Sequence, residues 1–228
     1  MKNLWKNLPD KSPYVLEEDK KFIDEFNAKA EDKYKIVLDL LPEPFIGNKD
    51  ADIVLLNLNP GVDKKDKELH KQINYVDAIR KNLIHEQAEY PFYFLNPEFE
   101  KTPGYKWWKR KLNQLRKDVE PKKLSSKVLC VEYFPYHSKN YKAMKKIYSQ
   151  EYGFYLVEQA IKRKATIIIL RAEKRWREAV PELKKYDYYF LKNPQSSTIN
   201  PENIYKIKKT NFYQEILKKD VDYKKFKE

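Results

Sequence analysis

Cysteine is almost missing from this chain. Cys130 is the only one in 228 residues, which excludes an internal disulfide, a Cys-based zinc site and a four-cysteine iron–sulfur cluster. It also fits a reduced, cytoplasmic setting. Glycine is scarce. Gly47, Gly61, Gly104 and Gly153 are too few for a flexible linker, so residues 1–228 read as one domain, with 1–42 as an N-terminal helical extension. A chain this long buries roughly 70% of its unfolded surface and needs no staple. The three histidines, His70, His85 and His137, show no metal-ligand spacing. Long apolar runs are missing too. The longest aliphatic stretch centres on Ile167–Leu170, far short of the ~18–20 residues of a spanning helix. The opening MKNLWKNLPDKSPY has no apolar h-region, so no secretory signal is expected. Neither GxGxxG nor GxxxxGK[ST] occurs, nor GxSxG, nor HxE with PCxxC. Dinucleotide, Walker-loop, serine-hydrolase and zinc-deaminase readings lose their support. The expectation is no metal, no organic cofactor and no membrane partner.

What the chain has is positive charge. Lys plus Arg number 47 against 34 Asp plus Glu, a net charge of +13. A polyanion partner follows, nucleic acid ahead of membrane, with a lysine-rich, well-solvated surface as the bland alternative. Aromatics make up 14% of the chain. Interleaved with Lys and Arg they can stack bases and hold phosphates, or simply build a core. In Tyr105-Lys106-Trp107-Trp108-Lys109-Arg110-Lys111, one Trp is expected in the core and the other along a pocket.

Apolar spacing predicts a helix from about Glu17 to Leu41, ended by Pro42 and Pro44. Further helices are expected at about Lys65–Ala88, Trp107–Lys117, Tyr148–Lys162 and Lys174–Val180. A last one is expected at Pro201–Lys219, capped by Asn200. Tyr90–Leu95 reads as a loop or an edge strand. Four short apolar runs read as strands: Ile53–Leu58, Val128–Glu132, Thr166–Leu170 and Tyr186–Leu191. Their alternation with helices predicts an α/β three-layer sandwich, with a central, mostly parallel four-stranded sheet flanked by helices. Ligands of such sheets sit beyond the carboxyl ends of the strands. Residues Asn59–Asp63, Tyr133–Ser138, Arg171 and Asn193–Thr198 therefore belong together as a candidate site.

Two of these segments resemble a known family. Leu55-Leu56-Asn57-Leu58-Asn59-Pro60-Gly61 resembles the first motif of the uracil-DNA glycosylase superfamily, in its mismatch-specific thymine/uracil branch, where a strand runs into G-I-N-P-G. The preceding Leu41–Gly47 resembles the lead-in loop of bacterial glycosylase-like proteins. Asn193-Pro194-Gln195-Ser196-Ser197 resembles the second motif, H-P-S or N-P-S. The resemblance spans about Pro42 to Asn203. Asn57 replaces the usual glycine, Gln195 interrupts the second motif, and Tyr90–Arg116 has no counterpart. The absence of a cysteine set separates this chain from the cluster-bearing branches.

The resemblance implies a monofunctional DNA glycosylase, acting as a monomer. It would hydrolyse the N-glycosidic bond of a flipped, damaged or modified base and leave an abasic site, in repair or in defence against phage. Asn59 matches the water-positioning residue, and Asp63 is either a general base or a helix N-cap. Leu58, Glu132, Tyr133, Tyr136 and Asn193 are candidate base-binding residues. Pro60, Gly61, His137, Arg171, Ser196 and Ser197 are candidate DNA contacts. In many uracil-excising relatives the second strand ends in an Asn that reads uracil, and Glu132 stands there instead. A carboxylate accepts from cytosine N4 and repels uracil O4, so a cytosine-derived base is expected. The alternative is a Glu paired with Lys or Arg at a strand end. Asn193 has an Asn-Pro turn as its alternative. The whole chain has a second reading, a glycosylase-fold protein that binds nucleic acid without excising a base.

Overall fold

Four largely apolar runs organise the protein, because they are mostly buried on both faces and exclude water from their backbone hydrogen bonds. The computed structural model describes residues 1–193, 195, 198–200 and 203–206. Its strands are β1 (Ile36–Val37), β2 (Phe45–Gly47), β3 (Ile53–Asn57), β4 (Val128–Glu132), β5 (His137–Ser138), β6 (Thr166–Ile169), β7 (Tyr189–Leu191) and β8 (Ile204–Lys206). The helices are α1 (Glu17–Asn27), α2 (Asp66–Leu69), α3 (Ile73–Leu83), α4 (Pro103–Lys111), α5 (Asn113–Asp118), α6 (Pro121–Lys127), α7 (Gln150–Lys162) and α8 (Glu173–Ala179).

The main sheet runs β2-β4-β3-β6-β7-β8. Its four inner strands are parallel, and the outer two are antiparallel to their neighbours. This is the α/β sandwich the sequence predicts, with an extra short strand on each edge. The chain steps from β3 outward to β4, then crosses back past β3 to β6 and on to β7. Right-handed crossovers running in opposite directions place their helices on opposite faces. Accordingly α3 and α6 pack by β2, while α7 packs on β4 and β6 and meets α8 through Phe154 and Trp176. The crevice where the order reverses lies between the carboxyl ends of β3 and β6.

Several boundaries differ from the sequence reading. The first helix stops at Asn27 rather than Leu41. The Asn27 amide bonds the Ile36 backbone in both directions (2.8 and 2.9 Å), and Ile36-Val37 pairs with His137-Ser138. The Lys65–Ala88 stretch breaks at His70–Gln72 into α2 and α3. The Trp107–Lys117 stretch begins earlier, at Pro103, because the Thr102 hydroxyl accepts from Tyr105 N–H (3.1 Å) and caps it. Of the loop or edge strand expected at Tyr90–Leu95, the structure has the loop, with a buried 3₁₀ turn at Tyr93–Leu95. The expected final helix is replaced at Ile204–Lys206 by β8, and residues 207–219 of that expectation lie outside the described residues. Asn200 does accept from Asn203 N–H (2.8 Å), but the turn it caps leads into a strand.

The N-terminal segment is built into the core. Trp5, Leu8, Val15, Leu16 and Ile23 are all buried. At the other edge Gly47 has φ +116°, and a Cβ there would stand 2.1 Å from Val128 O. Only glycine lets β2 approach β4 so closely.

Candidate functional site

The parallel register sets Asn57 directly beside Glu132 at the carboxyl ends of β3 and β4. Both side chains are buried, and Asn57 Nδ2 donates to Glu132 Oε1 (2.9 Å). The other carboxyl oxygen, Oε2, is also buried and has no hydrogen-bond partner among the described residues. Burial pushes the Glu132 pKa up to about 8, against the stabilising pull of Asn57. The carboxyl is therefore mostly protonated at neutral pH. The expected partner of the alternative reading was Lys or Arg. The partner found is an amide, with Arg171 acting only at longer range.

Around this pair the chain is densely tied. Asn57 O accepts from Trp176 Nε1 (2.8 Å) and from Tyr133 N–H (3.2 Å). The half-buried Tyr133 ring lies 5.5 Å from both Trp176 and Phe154. Leu58, half-buried, accepts from Phe134 N–H (2.8 Å). Asn59, also half-buried, donates through Nδ2 to Pro60 O (2.9 Å) and Ser138 Oγ (3.0 Å). Among the described residues nothing donates to its Oδ1, so that oxygen is placed to accept from water.

Other expected residues lie elsewhere. Tyr136 is fully buried. It donates to Asp19 Oδ2 (2.8 Å) and accepts from Leu16 N–H (3.2 Å), beside Trp5. It fastens the N-terminal segment to the core and does not present a ring for stacking. His137 is buried too, with Nδ1 2.7 Å from Gly61 O and Nε2 3.0 Å from Leu41 O. Burial holds its pKa below the ordinary value, against the pull of those carbonyls and of Asp66. Its place is beneath the loop, as a tie between residues 41 and 61, and not at a DNA-facing surface. Pro60 is buried and Gly61 exposed. Asp63 is exposed, with Oδ1 accepting from Lys65 N–H (2.9 Å). That is a local turn contact, not the helix N-cap weighed against the general base: the residue capping α2 is Lys65.

Arg171 is exposed, and its N–H reaches Leu56 O (3.4 Å). Asn193 is exposed at the end of β7, and its Oδ1 accepts from Gln195 N–H (3.0 Å), the geometry of an Asn turn. It stands two strands from Asn59, roughly 10 Å at ordinary strand spacing. Ser196 and Ser197 lie outside the described residues. The structure thus gathers Asn57, Leu58, Asn59, Glu132 and Tyr133, with Arg171 near, and leaves Asp63, Tyr136 and His137 out of the constellation.

Two groups escape sequence reasoning. Trp176 comes from α8 and carries no local signal. Glu43, in the segment before β2, is buried, accepts from Tyr93 Oη (3.1 Å), and has its pKa pushed up to about 7 by burial. Of the tryptophan pair, Trp108 is buried in the core and Trp107 is half-buried under Lys111, whose Nζ lies 4.6 Å from the ring centroid.

The clefts do not coincide with these side chains. One of about 500 Å³ runs between residues 36–40 and the loop containing Val62 and Asp63. Another, of about 420 Å³, lies by Gly47, Asn82, His85 and Tyr90. Neither is lined by Asn59 or Glu132. Among the described residues no group of His, Cys, Asp or Glu is arranged to hold a metal ion, and no helix is long and apolar enough to cross a membrane. Comparison with protein-family models, curated proteins and solved structures finds no match.

Proposed function

We propose that this protein is a DNA glycosylase that hydrolyses the N-glycosidic bond of a flipped, damaged or modified base, leaving an abasic site. It would act as a cytoplasmic monomer, without a cofactor, in repair or phage defence. One observation carries the reading: a buried carboxyl, Glu132, its pKa pushed up by burial, pairs with Asn57 at the ends of adjacent strands, two residues before the half-buried amide of Asn59. Asn59 Oδ1 orients the attacking water. As the bond stretches, the sugar gains positive charge and the base negative charge, so a donor to the base lowers the barrier. Glu132 Oε2, in its protonated form, is such a donor.

The protonated state changes the expected selectivity. The preference for a cytosine-derived base follows from a charged carboxylate, and therefore applies only well above neutral pH. At pH 7 a neutral Glu132 donates to a keto oxygen or an unprotonated ring nitrogen, which uracil, thymine and cytosine all offer. Entry of a base requires the cover over Glu132 to move, and the half-buried Tyr133 follows it directly along the chain.

The test is an abasic-site assay on DNA carrying uracil, a G·T mismatch, or cytosine modified at C5, including glucosylated forms. Asn59→Ala and Asp63→Ala run beside the wild type. Base release lost in Asn59→Ala supports the reading, and no release from any substrate defeats it. The second reading, nucleic-acid binding without excision, is favoured by one observation: neither cleft reaches Asn59 or Glu132. Salt-sensitive DNA binding with no base release would select it.

A further inference from the structure

The loop that leaves β5 carries cations and aromatics onto the surface beside Asn59. Ser138, at the end of β5, accepts from Asn59 Nδ2 (3.0 Å) and donates its N–H to Pro60 O (3.3 Å). Two residues later, Asn140 N–H donates to Lys33 O (2.8 Å) and ties the loop to the 3₁₀ turn Asp32–Tyr34. Two ammoniums meet at one ring there. Lys33 Nζ lies 4.9 Å and Lys142 Nζ 5.3 Å from the centroid of Tyr34. Tyr34 is half-buried, yet it belongs neither to the core nor to the side chains packed against it. Tyr141 does pack on the core, with its ring 6.2 Å from that of Phe134, and it carries the Arg175 guanidinium of α8 at 5.4 Å from its centroid. Ring contact holds such cations in place but does not neutralise them. Lys33 is met by Glu31 (3.0 Å), and Lys146 and Arg177 are met by Glu151 and Glu173. Lys142 and Arg175 have no carboxylate partner among the described residues.

We propose that Lys33, Tyr34, Tyr141, Lys142 and Arg175 form a binding surface for single-stranded nucleic acid that leads away from Asn59. It rests on the nucleic-acid reading above and adds the form of the strand, and it does not depend on base excision. Tyr34 offers its ring to an unpaired base, and Lys142 and Arg175 offer charge to the neighbouring phosphates, the combination that holds single strands without reading their sequence. Lys33 and Lys142 are exposed on flexible stems, so each can leave the ring for a phosphate while a base takes its place. A duplex keeps its base faces stacked on one another and has no use for such a ring. Tyr141 is three residues from Ser138, at most roughly 11 Å along the chain. A strand with its flipped base at Asn59 therefore passes these groups within its next few nucleotides.

The test measures binding of a short labelled oligothymidylate, and of a duplex of equal length, between roughly 50 and 200 mM salt. Wild type should bind the single strand more tightly than the duplex. Tyr34→Leu should weaken single-strand binding about 5- to 150-fold, the loss of one stacked base, with the salt slope unchanged. Tyr34→Phe, which keeps the ring, should bind as wild type. Lys142→Met and Arg175→Met should each flatten the slope of log K against log salt by about 0.7, one phosphate contact. Lys162→Met is the control and should change nothing, since Lys162 is exposed and ends α7 just before β6 begins, at the other end of the parallel strands from Glu132. Lys142 is exposed, so its variant reports even where Tyr34→Leu fails to fold. Equal or tighter binding of the duplex by wild type, or a wild-type slope in both Lys142→Met and Arg175→Met, overturns the surface. A further arm offers vesicles of phosphatidylserine in phosphatidylcholine. Vesicle binding that Lys142→Met weakens, with oligonucleotide binding unaffected, assigns these cations to a membrane and overturns the surface as well. Base release by the wild type is scored separately. Its absence alongside the expected binding losses defeats excision alone, and its presence alongside unchanged binding defeats this surface alone.

Discussion

Replacing Glu132 with Gln should make the protein more stable at alkaline pH, by an amount the structure sets. Gln keeps the oxygen that accepts from Asn57 Nδ2 (2.9 Å) but cannot ionise. In the wild type the folded-state pKa is raised from 4.5 to about 8 by burial. A group raised in this way contributes stability that is full below its unfolded value and is lost as pH climbs through the folded value. Between pH 5 and 9 the loss comes to about 4 kcal/mol, a large share of the ~5–15 kcal/mol typical of a domain. The interval from pH 7 to 8 isolates the effect, with about 1 kcal/mol lost from Glu132 alone. Glu43, raised to about 7, removes less than half as much over that interval, and Lys111, lowered to about 8, restores a similar amount. His70, His85 and His137 are all held low and are already neutral there. Urea denaturation at half-unit steps from pH 5 to 9 measures both chains. The wild-type curve should fall away from that of the variant as pH rises. Parallel curves would mean that Glu132 is ionised at neutral pH, and the donor role would fall with it.

Gly47→Ala should destabilise by at least about 2–3 kcal/mol, since its φ of +116° is strained for any side chain and the new Cβ would sit 2.1 Å from Val128 O. Chemical denaturation reads this, and a loss below 1 kcal/mol would show that β2 can shift. Tyr136→Phe strips the buried Asp19 of a 2.8 Å hydrogen bond and Leu16 N–H of its acceptor. It should cost about 1–3 kcal/mol in the same assay, with DNA affinity unchanged. Asn59→Ala should lower base release about 100-fold or more while leaving the melting temperature within a few degrees. Asp63→Ala, which removes an exposed turn acceptor, should retain most of the activity.

The inner sheet was legible because strands buried on both faces are mostly apolar, and each of the four runs advertises that. The edge strands were hidden. Phe45-Ile46-Gly47 is three residues long and contains a glycine, and Ile204–Lys206 follows a proline that suggested a helix start. Within the candidate site, Asn59, Glu132, Tyr133 and Arg171 lie at or just past strand ends, as the strand pattern predicts. That pattern failed at Tyr136 and His137, which are far enough past β4 that packing against residues 16, 19 and 41, not strand direction, decides where they point. Asn57 and Glu132 each look like a departure from the resembled motifs. The register makes them one pair, an amide where the motif has glycine facing an acid where it has an amide. Trp176 reaches the site from a helix, and periodicity cannot say which helical residue arrives at the end of a strand.

The N-terminal segment also sets the order of events during synthesis. Its anchors are remote: Asn3 waits for Leu83, Leu16 for Tyr136, and Asp19 for Ser149, a separation of 130 residues. At ordinary elongation rates that last partner follows by roughly 7–26 s. Through that interval Trp5, Leu16 and Ile23 have no core to enter, so the part of the chain made first completes its packing late. The nascent chain, rather than the finished protein, is where aggregation and chaperone capture would concentrate.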